Sequence, residues 1–174
     1  VQYKKIKNKE DNQMSKTFEL STVGAKVAYA VATTAGTRPT TGYIELLGIT
    51  AAPEIDLATS THDVSNLADK ITRYIPGRLD PGGEKAFEAN NEPTFREIWE
   101  TFVTAAEAGL AASKETYIAY IVEGDDDAFY WTGIPQSLGH GGLANNSPVT
   151  VQPKIVLTDV IGYDDKPTLT SEGE

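Results

Sequence analysis

The chain has 174 residues, 40% of them hydrophobic, and a formal net charge of −10 from 15 Lys and Arg against 25 Asp and Glu. That length suits one domain of the usual ~100–200 residues, burying ~70% of the unfolded chain's surface. With no cysteine there is no disulfide scaffold, Cys-ligated zinc site or thiol catalysis; no apolar run approaches the ~20 residues of a membrane helix, and an acidic chain repels nucleic acid and anionic membranes.

The first thirteen residues depart from this balance. They hold Lys4, Lys5, Lys7 and Lys9 against Glu10 and Asp11, with Val1, Tyr3 and Ile6 as their apolar material. Such a segment reads as a disordered basic extension, since three apolar side chains do not offset ordering costs of ~1–2 kcal/mol per residue. Lys9-Glu10-Asp11 can also be encoded as a ribosome-binding sequence upstream of the Met14 codon, so the expected native start is Met14. Residues 14–174 then carry −12. No charged-then-apolar leader precedes them, and the expectation is a soluble domain over 14–165 with a flexible tail over 166–174.

From Met14 onward the pattern is mostly period two. Lys26–Thr33 alternates Val27, Tyr29 and Val31 with Ala28, Ala30 and Ala32, a strand whose small face suits close packing. Tyr43–Ile49 and Pro53–Thr59 read as the next two strands, and Glu84–Ala89 as a short one after the turn at Asp80–Gly83. Glu115–Glu123 and Phe129–Leu138 follow, joined through a polar turn at Gly124–Asp127. Val149–Tyr163 is long enough to serve two sheets or to bend at Pro153. About seven or eight strands at this spacing predict a mainly β fold, an antiparallel sandwich or barrel.

One helix interrupts the strands. Asn91 and Pro93 mark its start, Thr94 and Glu97 fit a capping box, and Gly109 is placed to close it. Phe95, Ile98, Trp99, Phe102, Val103 and Ala106 form one apolar stripe, with Phe95, Trp99 and Phe102 as core anchors against the sheet. Between the third and fourth strands, residues 60–83 form a long flap, and a connection of that length in a compact domain is usually functional. It carries Lys70, Arg73 and Arg78 beside Ile71, Tyr74, Ile75 and Leu79. A basic, partly apolar flap on an acidic domain fits an acidic neighbour of the same kind; the plainer alternative is a hairpin packed on its own domain.

Signatures of catalysis are missing. No Gly-x-Ser-x-Gly, His-Glu-x-x-His, Walker or Rossmann glycine pattern occurs. His62 reads as a solvated loop residue and His140 as part of the glycine-rich tip Gly139–Gly142. Asp125–Asp127 lacks the glycine and glutamate of a calcium loop, and the sequon at Asn145 has no secretory context. The expectation is a non-enzyme with no cofactor and no metal.

The order of features resembles the major tail tube proteins of long, non-contractile-tailed (siphovirus-type) phages. The resemblance spans residues 14 to about 165: the Met14-Ser-Lys start, Tyr43-Ile-Glu-Leu-Leu-Gly-Ile49, Ala52-Pro-Glu-Ile-Asp56, the flap ending Pro76-Gly-Arg-Leu-Asp-Pro-Gly-Gly-Glu84, the helix with Trp99, and a closing strand with a polar tail. It implies a β-sandwich with one flanking helix whose copies close into hexameric rings and stack into a tube conducting DNA, within a virion tail assembled in the host cytoplasm. The same fold serves contractile tails and type VI secretion, which stay open. No immunoglobulin-like extra domain of the kind some members carry is recognisable at the C-terminal end. The implied partners are copies of itself and other tail proteins at the tube ends, with DNA passing unbound and no membrane.

On this reading the flap meets neighbouring subunits through Lys70, Arg73, Tyr74, Arg78 and Asp80. Phe18 and Leu20 form an N-terminal arm, and Glu45, Glu54, Glu84 and Glu88 are candidates for the acidic lumen wall. The alternative from another class is a monomeric or dimeric carbohydrate- or receptor-binding sandwich. It needs a solvent-facing aromatic platform from Tyr117, Tyr120, Tyr130 and Trp131, although alternation puts Tyr117 and Tyr120 on opposite faces.

Overall fold

A computed structural model describes residues 21–80 and 82–170. Along the chain run β1 (Lys26–Val31), β2 (Thr41–Glu45), β3 (Ile49–Ala51), β4 (Thr59–Asp63), β5 (Tyr74–Leu79), β6 (Glu84–Ala86) and β7 (Glu88–Asn90). Helix α1 (Pro93–Ala111) follows, then β8 (Thr116–Ile121), β9 (Asp127–Pro135), β10 (Thr150–Val151), β11 (Lys154–Asp165) and β12 (Thr168–Leu169). Seven strands form the main sheet in the order β12-β2-β1-β8-β9-β11-β6; β10-β7-β3 make a small sheet, and β4-β5 stand as a separate pair. The fold is mainly β with one flanking helix, as the alternation and the single apolar stripe predict.

Alternation along β1, β8 and β9 gives the main sheet two different faces. On one, Val27, Tyr29, Ile118, Trp131 and Ile155 pack with the helix and with Ala89 and Val151 of the small sheet. Tyr29 and Phe102 lie 4.2 Å apart between ring centroids, and Trp99 meets Phe102 edge-on at 5.2 Å. Trp99 also donates its indole N–H to the Gln136 carbonyl at 2.9 Å. Phe95, Trp99 and Phe102 are all buried, and each such side chain is worth ~1.5–3 kcal/mol of apolar burial. On the other face Ala28, Ala30 and Ala32 pack with Tyr43, Tyr117 and Tyr130, so the small residues of β1 make room for tyrosines of the neighbouring strands.

Val149–Tyr163 serves two sheets with its break at Pro153, as expected, and Glu84–Ala89, expected as one strand, also changes sheets midway. Phe87, between β6 and β7, is fully buried, and its N–H donates to the Pro153 carbonyl between β10 and β11. β6 pairs with β11 in the main sheet while β7 pairs with β10 in the small one. The two chain segments therefore turn the same corner side by side, Pro153 sitting where no ladder donor is needed.

Several expectations are corrected. Tyr43–Ile49 breaks into β2 and β3 because Gly48 adopts φ +94°, with Phe95 3.2 Å from where a Cβ would stand. Pro53–Thr59 is not a strand: Pro53 has no N–H to give a ladder, and the Asp56 carboxylate folds back to the Ala58 N–H at 2.8 Å. The helix starts at Pro93 with Glu92 as N-cap and no side-chain cap, so the Thr94–Glu97 box does not form. At the other end Gly109 lies inside the helix. The left-handed residue is Ser113 at φ 57°, and the bonds Ser113 N–H to Leu110 and Lys114 N–H to Gly109 complete a Schellman closure. Residues 168–169, expected within a flexible tail, pair in parallel with β2, and Leu169 packs against the tyrosine-rich face.

Candidate interaction surfaces

The flap is a hairpin, β4 against β5, and among the described residues its two strands pair only with each other. It is not the hairpin packed on its own domain: from residue 59 to 76 every side chain but Asp69 is exposed. A free-standing two-stranded hairpin is marginally stable in water, and here polar side chains of the tip supply extra order. Asp63 accepts the Ser65 N–H, Asn66 the Ala68 N–H, and Ser65 the Arg73 N–H, each at 2.8–2.9 Å. Arg73 Nη2 donates to both carboxylate oxygens of Asp69, at 3.0 and 2.9 Å. Hydrogen bonds from Ser65 hold the Asp63 carboxyl below the usual range, and the Asn66 N–H together with Arg73 does the same for Asp69.

This arrangement sorts the flap residues named from the sequence. Arg73 is engaged by its own tip, and Asp80 accepts the Gly82 N–H at 3.1 Å as a turn-former. Lys70 and Arg78 are exposed and form no salt bridge among the described residues. Tyr74 is exposed, and so are Leu67, Ile71 (79%) and Ile75. Leu67 is a feature that charge-led reading of the flap passed over; its apolar side chain inside the polar run Ser65–Asp69 was the available signal. Phe18 and Leu20 lie outside the described residues.

The four candidate lumen acids do not form one cluster. Glu45 stands opposite Ala28 and pairs with Lys26 at 2.8 Å. Glu84 stands opposite Val156 and pairs with Lys154 at 2.6 Å. Register through Val156 and Ile134 puts Glu84 on the same face as Glu45, the one turned away from the helix, toward the opposite edge of the main sheet. Glu88 belongs to the small sheet and Glu54 to the segment between β3 and β4; neither forms a salt bridge among the described residues.

The aromatic platform needed by a carbohydrate-binding reading is not presented. Tyr117, Tyr130 and Trp131 are buried and Tyr120 is half-buried, its hydroxyl donating to the Pro53 carbonyl at 3.1 Å. Over Tyr130 lies the Arg38 guanidinium, 4.1 Å from the ring centroid and ion-paired to Asp164. Sequence reading missed this latch because Arg38 sits in an irregular loop with no periodicity to mark it. Burial, with the nearby Asp164 and Asp165 carboxylates, pushes the Tyr130 phenol up to about 12 against the opposing pull of Arg38. Burial also raises Tyr43 and Tyr120 well above the ordinary tyrosine range. His62 lies exposed on β4 opposite Ile75, its ring beside Gly77, and His140 sits exposed with Nδ1 2.7 Å from the Gly141 carbonyl oxygen. Among the described residues no three metal-ligating side chains converge.

No protein-family profile matches the chain, and no curated protein matches it in sequence. Its fold is similar to that of solved chains from two assemblies. One comes from the PVC sheath–tube complex, in the extended state, of an extracellular contractile injection system. The TM-score is 0.53 at 11% identity, over 88% of this chain and 97% of that one. Another comes from the anti-feeding prophage cap, which terminates the AFP tube: TM-score 0.53 at 13% identity, over 91% and 99%. The first belongs to a contractile system, so the likeness does not single out the siphovirus-type tubes expected from the sequence.

Proposed function

We propose that this protein is the structural subunit of a phage-type tail tube, building the tube from copies of itself in stacked rings and meeting other tail proteins at its ends. The observation that carries this reading is a shared fold over nearly the whole length of chains from tube-containing complexes. A subunit of this kind needs no catalytic group and no cofactor. Six copies per ring is the stoichiometry implied by the family resemblance. If neighbouring copies join edge to edge, the Glu84–Lys154 pair of one approaches the Glu45–Lys26 pair of the next; these pairs are neutral in sum, so the acidity of the wall rests on the chain's net charge of −10. A conduit for DNA works best when its wall does not hold phosphates, and an acidic wall repels them over a Debye length of ~8–10 Å.

Negative-stain electron microscopy of concentrated protein tests the reading. Rings or tubes of uniform diameter are expected; small particles of one or two copies at every concentration and ionic strength refute it.

A further inference from the structure

At the root of the hairpin lies a cleft of about 400 Å³, lined in part by residues 52–55. Tyr120 of β8, Phe129 of β9 and Tyr163 of β11 stand directly opposite one another across three adjacent strands. Their rings share a face, with centroids 6.4 and 5.1 Å apart. Two residues further along, Asp127 and Asp165 again stand directly opposite each other on that face. Like charges in this position destabilise an antiparallel pair, and neither forms a salt bridge among the described residues. Lys166 does not relieve them by ion pairing, since its ammonium donates to the carbonyls of Val122 and Asp125. Aromatic walls with carboxylates at the mouth suit a cation on an alkyl stem: the rings and carboxylates attract the charge, and the methylenes lie on apolar surface.

The chain carries a matching group. Lys26, Arg38, Arg73 and Lys154 are already ion-paired, and Lys85 donates to the Glu54 carbonyl. Lys70, Arg78, Arg96 and Lys114 form no salt bridge among the described residues, and of these Lys70 lies at the hairpin tip, between exposed Leu67 and Ile71. It does not reach the cleft of its own copy. The cleft-lining segment leads directly into β4, whose five residues carry the tip ~17 Å away.

We propose that the Leu67–Ile71 tip of one copy docks in the Tyr120–Phe129–Tyr163 cleft of the next, with the Lys70 ammonium between Asp127 and Asp165. This rests on the tube reading, and it names the surface that receives the flap. A tip-to-root contact joins two different patches, so it is heterologous and propagates from copy to copy.

The chain has no cysteine of its own, so two single variants report the contact: Ala68→Cys in the tip and Ala52→Cys in the cleft, both exposed positions. A short bis-maleimide added to their mixture is expected to give a covalent dimer that neither variant gives alone. Lys70→Glu in the tip variant should cut its yield at least tenfold, and Asp127→Lys in the cleft variant should restore it. A dimer from Ala68→Cys alone, meaning tip against tip, overturns the proposal. Electron microscopy of the same mixture separates the two readings. Tubes without the mixed dimer overturn this inference alone; the mixed dimer without rings or tubes overturns the tube; neither product overturns both.

Discussion

Gly109 gives a sign test of the packing between helix and sheet. Alanine is favoured over glycine in a helix interior by about 0.8–1.0 kcal/mol, so helix propensity alone makes Gly109→Ala a stabilising change. The structure opposes it: a Cβ added there would lie 2.6 Å from Cγ1 of Val31 on β1, with the Lys114 carbonyl oxygen next at 3.5 Å. Val31 is β-branched and stiff about χ1, and overpacking of this kind costs ~1–3 kcal/mol. The net expectation is a loss of about 1 kcal/mol, which lowers Tm by roughly 2–4 °C for a chain of this size. In a Val31→Ala background the obstructing methyl is gone, and the same substitution should become stabilising by up to ~1 kcal/mol. Urea unfolding followed by circular dichroism on the wild type, both single variants and the double variant closes the cycle. If Gly109→Ala stabilises both backgrounds, the helix does not press on β1 at this point and the argument fails.

The raised tyrosines make stability fall at high pH. Their protonated forms are favoured by the fold, so that contribution is complete below about pH 10 and is lost as pH rises through the folded value, about 12 for Tyr130; absorbance at 295 nm should show them ionising only as the circular dichroism collapses, and full titration near pH 10 with the fold intact would contradict it. The hairpin tip has the opposite dependence, because the Asp63 and Asp69 carboxyls are held low. Its order is full above the usual aspartate range near ~3.9 and is lost as pH falls below it, read by NMR as loss of protection at the Ser65 and Asn66 amides; unchanged protection down to pH 2 would remove the carboxylates from the account. On the proposed tube reading, Glu45→Lys with Glu84→Lys gives up two surface ion pairs worth ~0–1 kcal/mol each. Tubes should still form while DNA passage slows, most at low salt; passage unaffected at every ionic strength would dismiss the electrostatic role.

Much of the architecture was legible because burial imposes periodicity. The stripe from Phe95 to Ala106 placed α1, and alternation in β1, β8 and β9 is the imprint of two buried faces. Where burial ends, the signal ends too. Every side chain of β4 is exposed, so no core face imposed alternation there, and Pro76 and Gly77 hid its partner β5. Gly48 and Gly109 look alike in sequence; one is required for its positive φ and the other for its missing Cβ against Val31. The cleft was invisible for another reason. Tyr120, Phe129 and Tyr163 come from three separate strands, and their alignment is a matter of register. Even so, Asp127-x-Phe129-x-Trp131 already held the gradient along one face of β9 from exposed acid to buried indole.

The edges of the main sheet bear on how copies meet. An open strand edge accepts almost any extended chain, and natural sheets restrain this with short edge strands, charges and bulges. Here β12 has two residues and β6 three. β6 covers β11 at Lys154–Val156 and Gly83 reaches Leu157, leaving the rest of that side of β11 without a strand partner among the described residues. That open stretch contains two register shifts, between Leu157 and Asp159 and between Val160 and Gly162. Bulges bend a strand and interrupt its repeat, so an incoming edge must match the irregularity and one register is favoured over a slide by two. The hairpin complements this restraint. Its exposed Leu67 and Ile71 carry an apolar cost in the isolated chain that burial against another surface removes, and its lysine restricts that surface to one with uncompensated acid. Blunted edges that discourage general strand addition, combined with a side-chain-specific tip, favour ordered association over aggregation at high local concentration.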